Sequence, residues 1–209
     1  MPQAENAHVK PFELIAGHVA LDLVNTVDHR FGPPAPQERL VTYDDLLRFA
    51  LQSGIITDRQ AKKLRRSEAS LAERETILRQ VRDLREALAA VAYAQLENNE
   101  IPASSLATLE DHFKQAAARR HLVAGNLLLV WNWSGLSREI AAPWWRLSQA
   151  AADLLLSDQS AHIRCCSSET CRWLFLDTSK NHTRRWCEMK TCGNRMKARR
   201  FHARQSENE

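Results

Sequence analysis

The stretch HIRCCSSETCRWLFLDTSKNHTRRWCEMKTCGNR, residues 162–195, holds all five cysteines of this 209-residue chain. Four residues separate Cys166 from Cys171, four separate Cys187 from Cys192, and fifteen lie between the pairs. Zinc takes four thiolates at tetrahedral corners, and two short cysteine loops joined by a turn supply them. The repeated spacing therefore predicts one zinc held by Cys166, Cys171, Cys187 and Cys192. Cys165 sits in a β-prone segment whose successive side chains point to opposite faces, so only one of the adjacent cysteines can reach the metal. Equal loop lengths select Cys166 and leave Cys165 as a small buried hydrophobe, with exchange between the two as ligand the alternative. His162, His182 and His202 read as surface histidines, because four sulfurs already fill the site.

A closed four-thiolate site has no open position for water or substrate, which predicts structural zinc. Folding needs it there: after residue 160 the core candidates are chiefly Ile163, Trp173, Leu174, Phe175, Leu176 and Trp186. Structural zinc contributes on the order of 10 to 16 kcal/mol in peptides, more than so thin an apolar set supplies. The competing reading is a redox switch in which the paired thiols oxidise to disulfides and release the metal.

Working outward, GNRMKARRFHARQ, residues 193–205, follows the last cysteine with good helix formers and many cations. Residues 161–209 carry 11 basic and 5 acidic side chains, a balance of +6, whereas residues 1–160 carry −2. A basic helix packed on the zinc loops by Met196 and Phe201 is expected. Positions 195, 199 and 202 share one face, and 200 and 204 a neighbouring one. Arg184, Arg185, Arg195, Lys197, Arg199, Arg200 and Arg204 are the candidate nucleic-acid contacts, as against a merely solvated charged helix end.

The first 160 residues read as mostly helical. His18 to Arg30 fits a buried helix; Phe31 to Gln37, with three prolines, is a loop. Thr42 with Asp45, Thr57 with Gln60 and Ser70 with Glu73 are capping-box starts, and Ser53 and Gly54 offer a stop. From Ser70 to about Asn99, Ile77, Val81, Leu84, Leu88 and Val91 form an apolar stripe, leaving Arg79, Arg82, Asp83 and Arg85 to other faces. Pro102 ends that helix and Ala103 to Arg120 begins another. LVAGNLLLVWNW, residues 122–133, reads as a β-hairpin about Gly125 and Asn126, and a last helix covers Ser137 to Leu156 with Pro143 in its first turn or kinking it.

No apolar run approaches the roughly 20 residues of a membrane span, and the N-terminus has no secretory pattern, so a cytoplasmic protein with reduced thiols is expected. No nucleophile elbow, phosphate-binding glycine loop or HExxH motif occurs, and the chain is not expected to be an enzyme. Asp22, Asn25 and His29 would share a helical face if that helix ran through, but capping and backbone roles explain them as well. Trp131, Trp133, Trp144 and Trp145 either complete a core or line a small-molecule effector pocket, whose polar contacts would be Asn25 and Arg30.

The run RRWCEMKTCGNRMKARR, residues 184–200, preceded by CRWLFLDTSKN, resembles the CGNR zinc-finger family, named for Cys192, Gly193, Asn194 and Arg195. In that family the module follows an N-terminal domain called ABATE, described as a stress-induced transcription regulator domain, and ALDLVNTVDHR, residues 20–30, resembles its LDxxNT signature. The resemblance implies zinc on Cys166, Cys171, Cys187 and Cys192 and DNA binding by the C-terminal module of a bacterial regulator. The expectation is a predominantly helical α+β protein. A helical domain with a small β-hairpin, 1–160, precedes a zinc module ending in a basic helix, 161–209. DNA is the expected partner, and the size of the chain favours a homodimer. The alternative is a zinc-stabilised protein-interaction or RNA-binding module without sequence-specific DNA recognition.

Overall fold

A computed structural model describes residues 10–136 and 138–206, the side chains of Arg200, His202, Arg204 and Ser206 excepted. The helices are α1 (Val19–Val24), α2 (Tyr43–Gln52), α3 (Asp58–Arg65), α4 (Leu71–Leu96), α5 (Ala103–Ala117), α6 (Ala142–Leu155) and α7 (Asn194–Ser206). Three antiparallel pairs complete the fold: β1 (Val27–Asp28) with β2 (Gln37–Glu38), β3 (Arg120–Ala124) with β4 (Leu129–Trp133), and β5 (Ile163–Cys165) with β6 (Leu174–Leu176). The chain is predominantly helical, as its patterning predicts.

All three expected capping boxes form. Thr42, Ser70 and Thr57 each accept from the amide three residues on, and Asp45, Glu73 and Gln60 each reach back to the cap amide. These reciprocal bonds satisfy helix N–H groups that have no intrahelical acceptor. They fix where α2, α3 and α4 begin. Helix α4 is the spine, packing on α1, α2, α5 and α6. Val81, Leu84, Leu88 and Val91 are buried along it, as the stripe requires. Arg85, expected off the apolar stripe, is buried too: its guanidinium donates to Glu38 Oε1 at 2.7 Å and Oε2 at 2.6 Å and to Thr26 Oγ1 at 3.1 Å.

The helix expected from His18 to Arg30 stops at Val24. Asn25 caps it, Thr26 Oγ1 donates to the Leu23 carbonyl, and the chain turns into β1, paired to Gln37–Glu38. His29 then adopts φ +54°, outside any helix. Asp22, Asn25 and His29 therefore do not share a helical face. The last helix of this half starts at Ala142 and carries Pro143 in its first turn, without a kink. Ser137, the expected start, lies outside the described residues.

The hydrophobic core is continuous across residue 160. Ile163, Leu174, Phe175 and Leu176 bury with α1 and α4 residues, β5 packs on α4, and β6 packs on α1. The amide of Leu176 donates to the Ala16 carbonyl at 2.7 Å, extending the short sheet by one backbone bond. Among the described residues, no helix is long and apolar enough to cross a membrane.

Candidate metal centre and basic helix

Each cysteine is placed by its local turn. Cys166 follows β5 and its amide donates to the Trp173 carbonyl at 2.8 Å, carrying the ladder one step beyond the strands. The first loop closes when the amides of Cys171 and Arg172 both donate to the Ser168 carbonyl, with Arg172 at φ +53°. The second loop is a π-type turn, Met189–Gly193, which brings Cys192 back toward Cys187 and runs directly into α7. A Cβ on Gly193 would lie 2.4 Å from Met189 Sδ and 3.3 Å from Trp186 Cδ1. Glycine lets Met189 and Trp186 close over the turn.

The four sulfurs of Cys166, Cys171, Cys187 and Cys192 all lie within 4.8 Å of one another. Cys171 Sγ and Cys192 Sγ are each 3.6 Å from Cys187 Sγ, against the edge of about 3.8 Å of a tetrahedron with 2.3 Å zinc–sulfur bonds. No pair is joined as a disulfide. Hydrogen bonds from Cys171, Cys187 and Cys192 hold the Cys166 thiol far below its usual range, while those with Cys166, Cys171 and Cys192 push the Cys187 thiol far up. Four thiolates this close repel unless a cation sits among them, and a divalent ion supplies that charge. The donor set fits structural zinc, with no side chain other than these four needed to close it.

Cys165 points away from the cluster, half-buried, and its thiol donates to the Arg172 carbonyl at 3.2 Å. His162 and His182 stack at 4.0 Å; His182 is exposed, as expected, with Nδ1 2.9 Å from the Asp177 carbonyl oxygen, while His162 is half-buried. The side chain of His202 lies outside the described residues.

Asp177 organises the hairpin between the cysteine pairs. Its carboxylate accepts from the Ser179 amide at 3.0 Å, the Ser179 hydroxyl at 2.6 Å and the Arg184 amide at 2.9 Å. The Asp-Thr-Ser run carries the signature of such a side-chain turn, and the cysteine spacing alone did not bring it out.

The predicted basic contacts divide. Arg184 is taken up internally: it donates to the carbonyls of Trp186 and Cys187, and its guanidinium lies 4.5 Å from the Phe175 ring centroid. It fastens the second cysteine loop to the core and is not a free cation. Arg185 is exposed, 5.4 Å from the Trp186 ring centroid. Arg195 donates to Thr170 Oγ1 at 3.2 Å, tying α7 to the first cysteine loop. Lys197 and Arg199 are exposed beside it. Among the described residues, Arg185, Lys190, Arg195, Lys197 and Arg199 pair with no carboxylate. Arg200 and Arg204 lie on α7, with their side chains outside the described residues. Met196 is half-buried as expected, while Phe201 is largely exposed.

The N-terminal pocket residues fall elsewhere. Asn25 is buried, and its amide exchanges two hydrogen bonds with the Leu174 backbone. The cavity beside it measures about 20 Å³, room for a single water. Arg30 pairs with Glu86 and donates to the Val24 carbonyl at 3.2 Å. Trp144 and Trp145 line an open groove of about 630 Å³ between α4, α5 and α6, away from Asn25 and Arg30. Trp131 and Trp133 belong to the hairpin, so the four tryptophans do not converge.

The family model described as "Putative stress-induced transcription regulator", ABATE, matches residues 17–158, and the CGNR zinc finger model matches residues 162–205. No curated protein matches the chain. The ABATE match spans most of the molecule, and the CGNR match covers the four sulfurs and α7. The chain belongs to the ABATE family and carries a CGNR zinc finger with a structural zinc site.

Proposed function

We propose that this chain is a DNA-binding transcription regulator of the cytoplasm, in which the zinc module presents Arg185, Arg195, Lys197 and Arg199 to phosphates and base edges. Arg200 and Arg204 extend the same helix. One observation carries the reading: a cluster of cations with no carboxylate partner among the described residues is anchored by a bond from α7 to a zinc-bearing loop. Cations that, among the described residues, have no carboxylate partner suit a polyanion, because binding releases counterions without breaking ion pairs. No catalytic step belongs to this reading: buried Asn25 serves the Leu174 backbone, and His29 lies beyond α1 at a positive φ.

The test is binding of the zinc-loaded full chain to random duplex DNA across a salt series. With four to six phosphate contacts, log affinity should fall against log salt with a slope of roughly −4 to −5. The Arg195→Ala/Arg199→Ala variant should lower the slope by about 2 and weaken binding uniformly across sequences. If the chain shifts neither duplex nor single-stranded RNA at low salt, the basic face meets an acidic protein surface instead and the reading fails.

A further inference from the structure

The β3–β4 hairpin leaves an apolar surface uncovered. Its register opposes Leu122 to Trp131 and Ala124 to Leu129, so these four side chains share one face, and all are exposed. At the tip, Leu127 is 95% exposed and Leu128 77%. The loop is tight: the Gly125 amide donates to the Leu128 carbonyl at 2.9 Å, and a Cβ on Gly125 would lie 2.8 Å from that oxygen. The two leucines therefore stand on a short, closed turn as a knob.

Two-stranded hairpins are marginal in water unless something covers a face. The exposed parts of Leu122, Leu129 and Trp131 on that face and of Leu127 and Leu128 at the tip come to roughly 650 Å², somewhat under the ~800 Å² per partner of a standard interface and at the upper end of the 300–600 Å² patch usual on a monomer.

The same chain carries a matching hollow. An apolar cavity of about 430 Å³ is lined by Val91, Ile101, Leu106, Leu109, Phe113 and Leu156, with Leu156 82% exposed at its rim. Helices α5 and α6 pack side by side; the hairpin joins the C-terminal end of α5 to the N-terminal end of α6. The hollow uses Leu106, Leu109 and Phe113 of α5 and the C-terminal end of α6, whereas the knob hangs from the other end of the pair. Leu127, at its exposure, is not in its own chain's hollow. Knob-into-hollow contacts made reciprocally about a two-fold axis close on themselves instead of propagating.

We infer that the chain forms a homodimer in which Leu127 and Leu128 of each copy seat in the α4–α5–α6 hollow of the other. This assignment does not depend on what α7 binds.

The experiment measures the mass of the zinc-loaded full chain by size exclusion with light scattering. Wild type should have twice the 23.8 kDa chain mass. The knob variant Leu127→Asp/Leu128→Asp and the hollow variant Leu106→Asp/Leu156→Asp should each run as monomers. An equimolar mixture of the two should regain dimer, because one chain brings an intact knob and the other an intact hollow. All four positions are exposed, and unchanged far-ultraviolet circular dichroism of each variant confirms that the fold survives. A wild type that stays monomeric at its highest soluble concentration overturns the proposal, whether or not it then floats with neutral phosphatidylcholine vesicles. So does a hollow variant that remains dimeric, which would mean knob packs on knob, or a mixture that stays monomeric.

Discussion

The side-chain amide of Asn25 grips the backbone of Leu174 in both directions: Nδ2 donates to the Leu174 carbonyl at 2.8 Å, and the Leu174 amide donates to Oδ1 at 3.0 Å. These residues are 149 positions apart, and both are buried. Leu174 begins β6, between the two cysteine pairs, so the LDxxNT segment of the ABATE domain holds the zinc module by its main chain. Tyr93 Oη, donating to the Arg172 carbonyl at 2.8 Å, and Arg172, donating to Glu97 at 2.6 Å, add a second point of attachment.

Substitution Asn25→Ala should therefore destabilise more than loss of one polar side chain suggests. It strands a buried N–H and a buried carbonyl, each costing about 1–3 kcal/mol, so a loss of roughly 3 kcal/mol is expected in urea unfolding. Hydrogen exchange should accelerate first at the Leu174 amide. Unchanged exchange there would mean that water replaces the amide and the link is not structural.

Glu38 and Arg85 make a further polar contact between distant parts of the chain. Burial raises the Glu38 carboxyl, but hydrogen bonds and charge from Arg85 outweigh that and hold it below its ordinary range. Glu38→Ala leaves the Arg85 guanidinium in the core with Glu86 as its remaining carboxylate. Breaking a buried pair costs about 3–5 kcal/mol, and the partial exposure of Glu38 places the expected loss nearer 2–3 kcal/mol. The double variant Glu38→Gln/Arg85→Met should recover much of it, since no charge is then left unpaired. A double variant as unstable as the sum of its singles would show that the pair is not coupled.

Metal removal should act locally before it acts globally. The purified chain should hold one zinc, and chelation or Cys187→Ser should release the cysteine loops and α7. Helices α2 to α6 keep their own core, anchored by Phe49, Leu84, Leu88 and Leu147. Peptide mapping of hydrogen exchange should show full deprotection across the cysteine loops and α7 with modest change in α4. A metal-free chain whose cysteine loops remain protected would defeat the zinc assignment.

How much of this was legible follows from where each interaction closes. The capping boxes at Thr42, Thr57 and Ser70 and the paired cysteine loops close within four or five residues, so spacing alone reveals them. Spacings of four from Val81 and three from Leu88 set Arg85 beside the apolar stripe, unlike the solvent-facing Arg79, but its partner Glu38 lies 47 positions away and no local pattern reveals it. Arg184 reads as one more cation in a basic run, yet its acceptors are backbone carbonyls that exist only once the second loop has folded. The apolar pattern of His18 to Arg30 suits a long helix as well as it suits a short buried helix followed by a strand. What decides is β2, whose partner registers Val27 against Glu38. The polar Asn25 inside that apolar run was visible, but its partner in the distant zinc module was not.

Asp22 gives the fold a pH dependence whose sign can be worked out. Burial raises its carboxyl to about 6, against hydrogen bonds from the Ala16 and Ile15 amides that lower it. In the unfolded chain the value is about 3.9. Between those values the folded state binds more protons, so the Asp22 contribution to stability falls as pH rises from about 4 to 6 and is then constant. A shift of that size costs roughly 2–3 kcal/mol at neutrality. Asp22→Asn keeps an oxygen for the Ala16 amide, 2.9 Å from Oδ1, and removes the buried charge. Relative to wild type, the variant should gain about 2 kcal/mol as pH rises from 4 to 7. Glu38 and Glu86 titrate in both proteins and cancel in the difference. Paired denaturant titrations at several pH values measure it, and a difference independent of pH would show that Asp22 is ionised in the folded state at little cost.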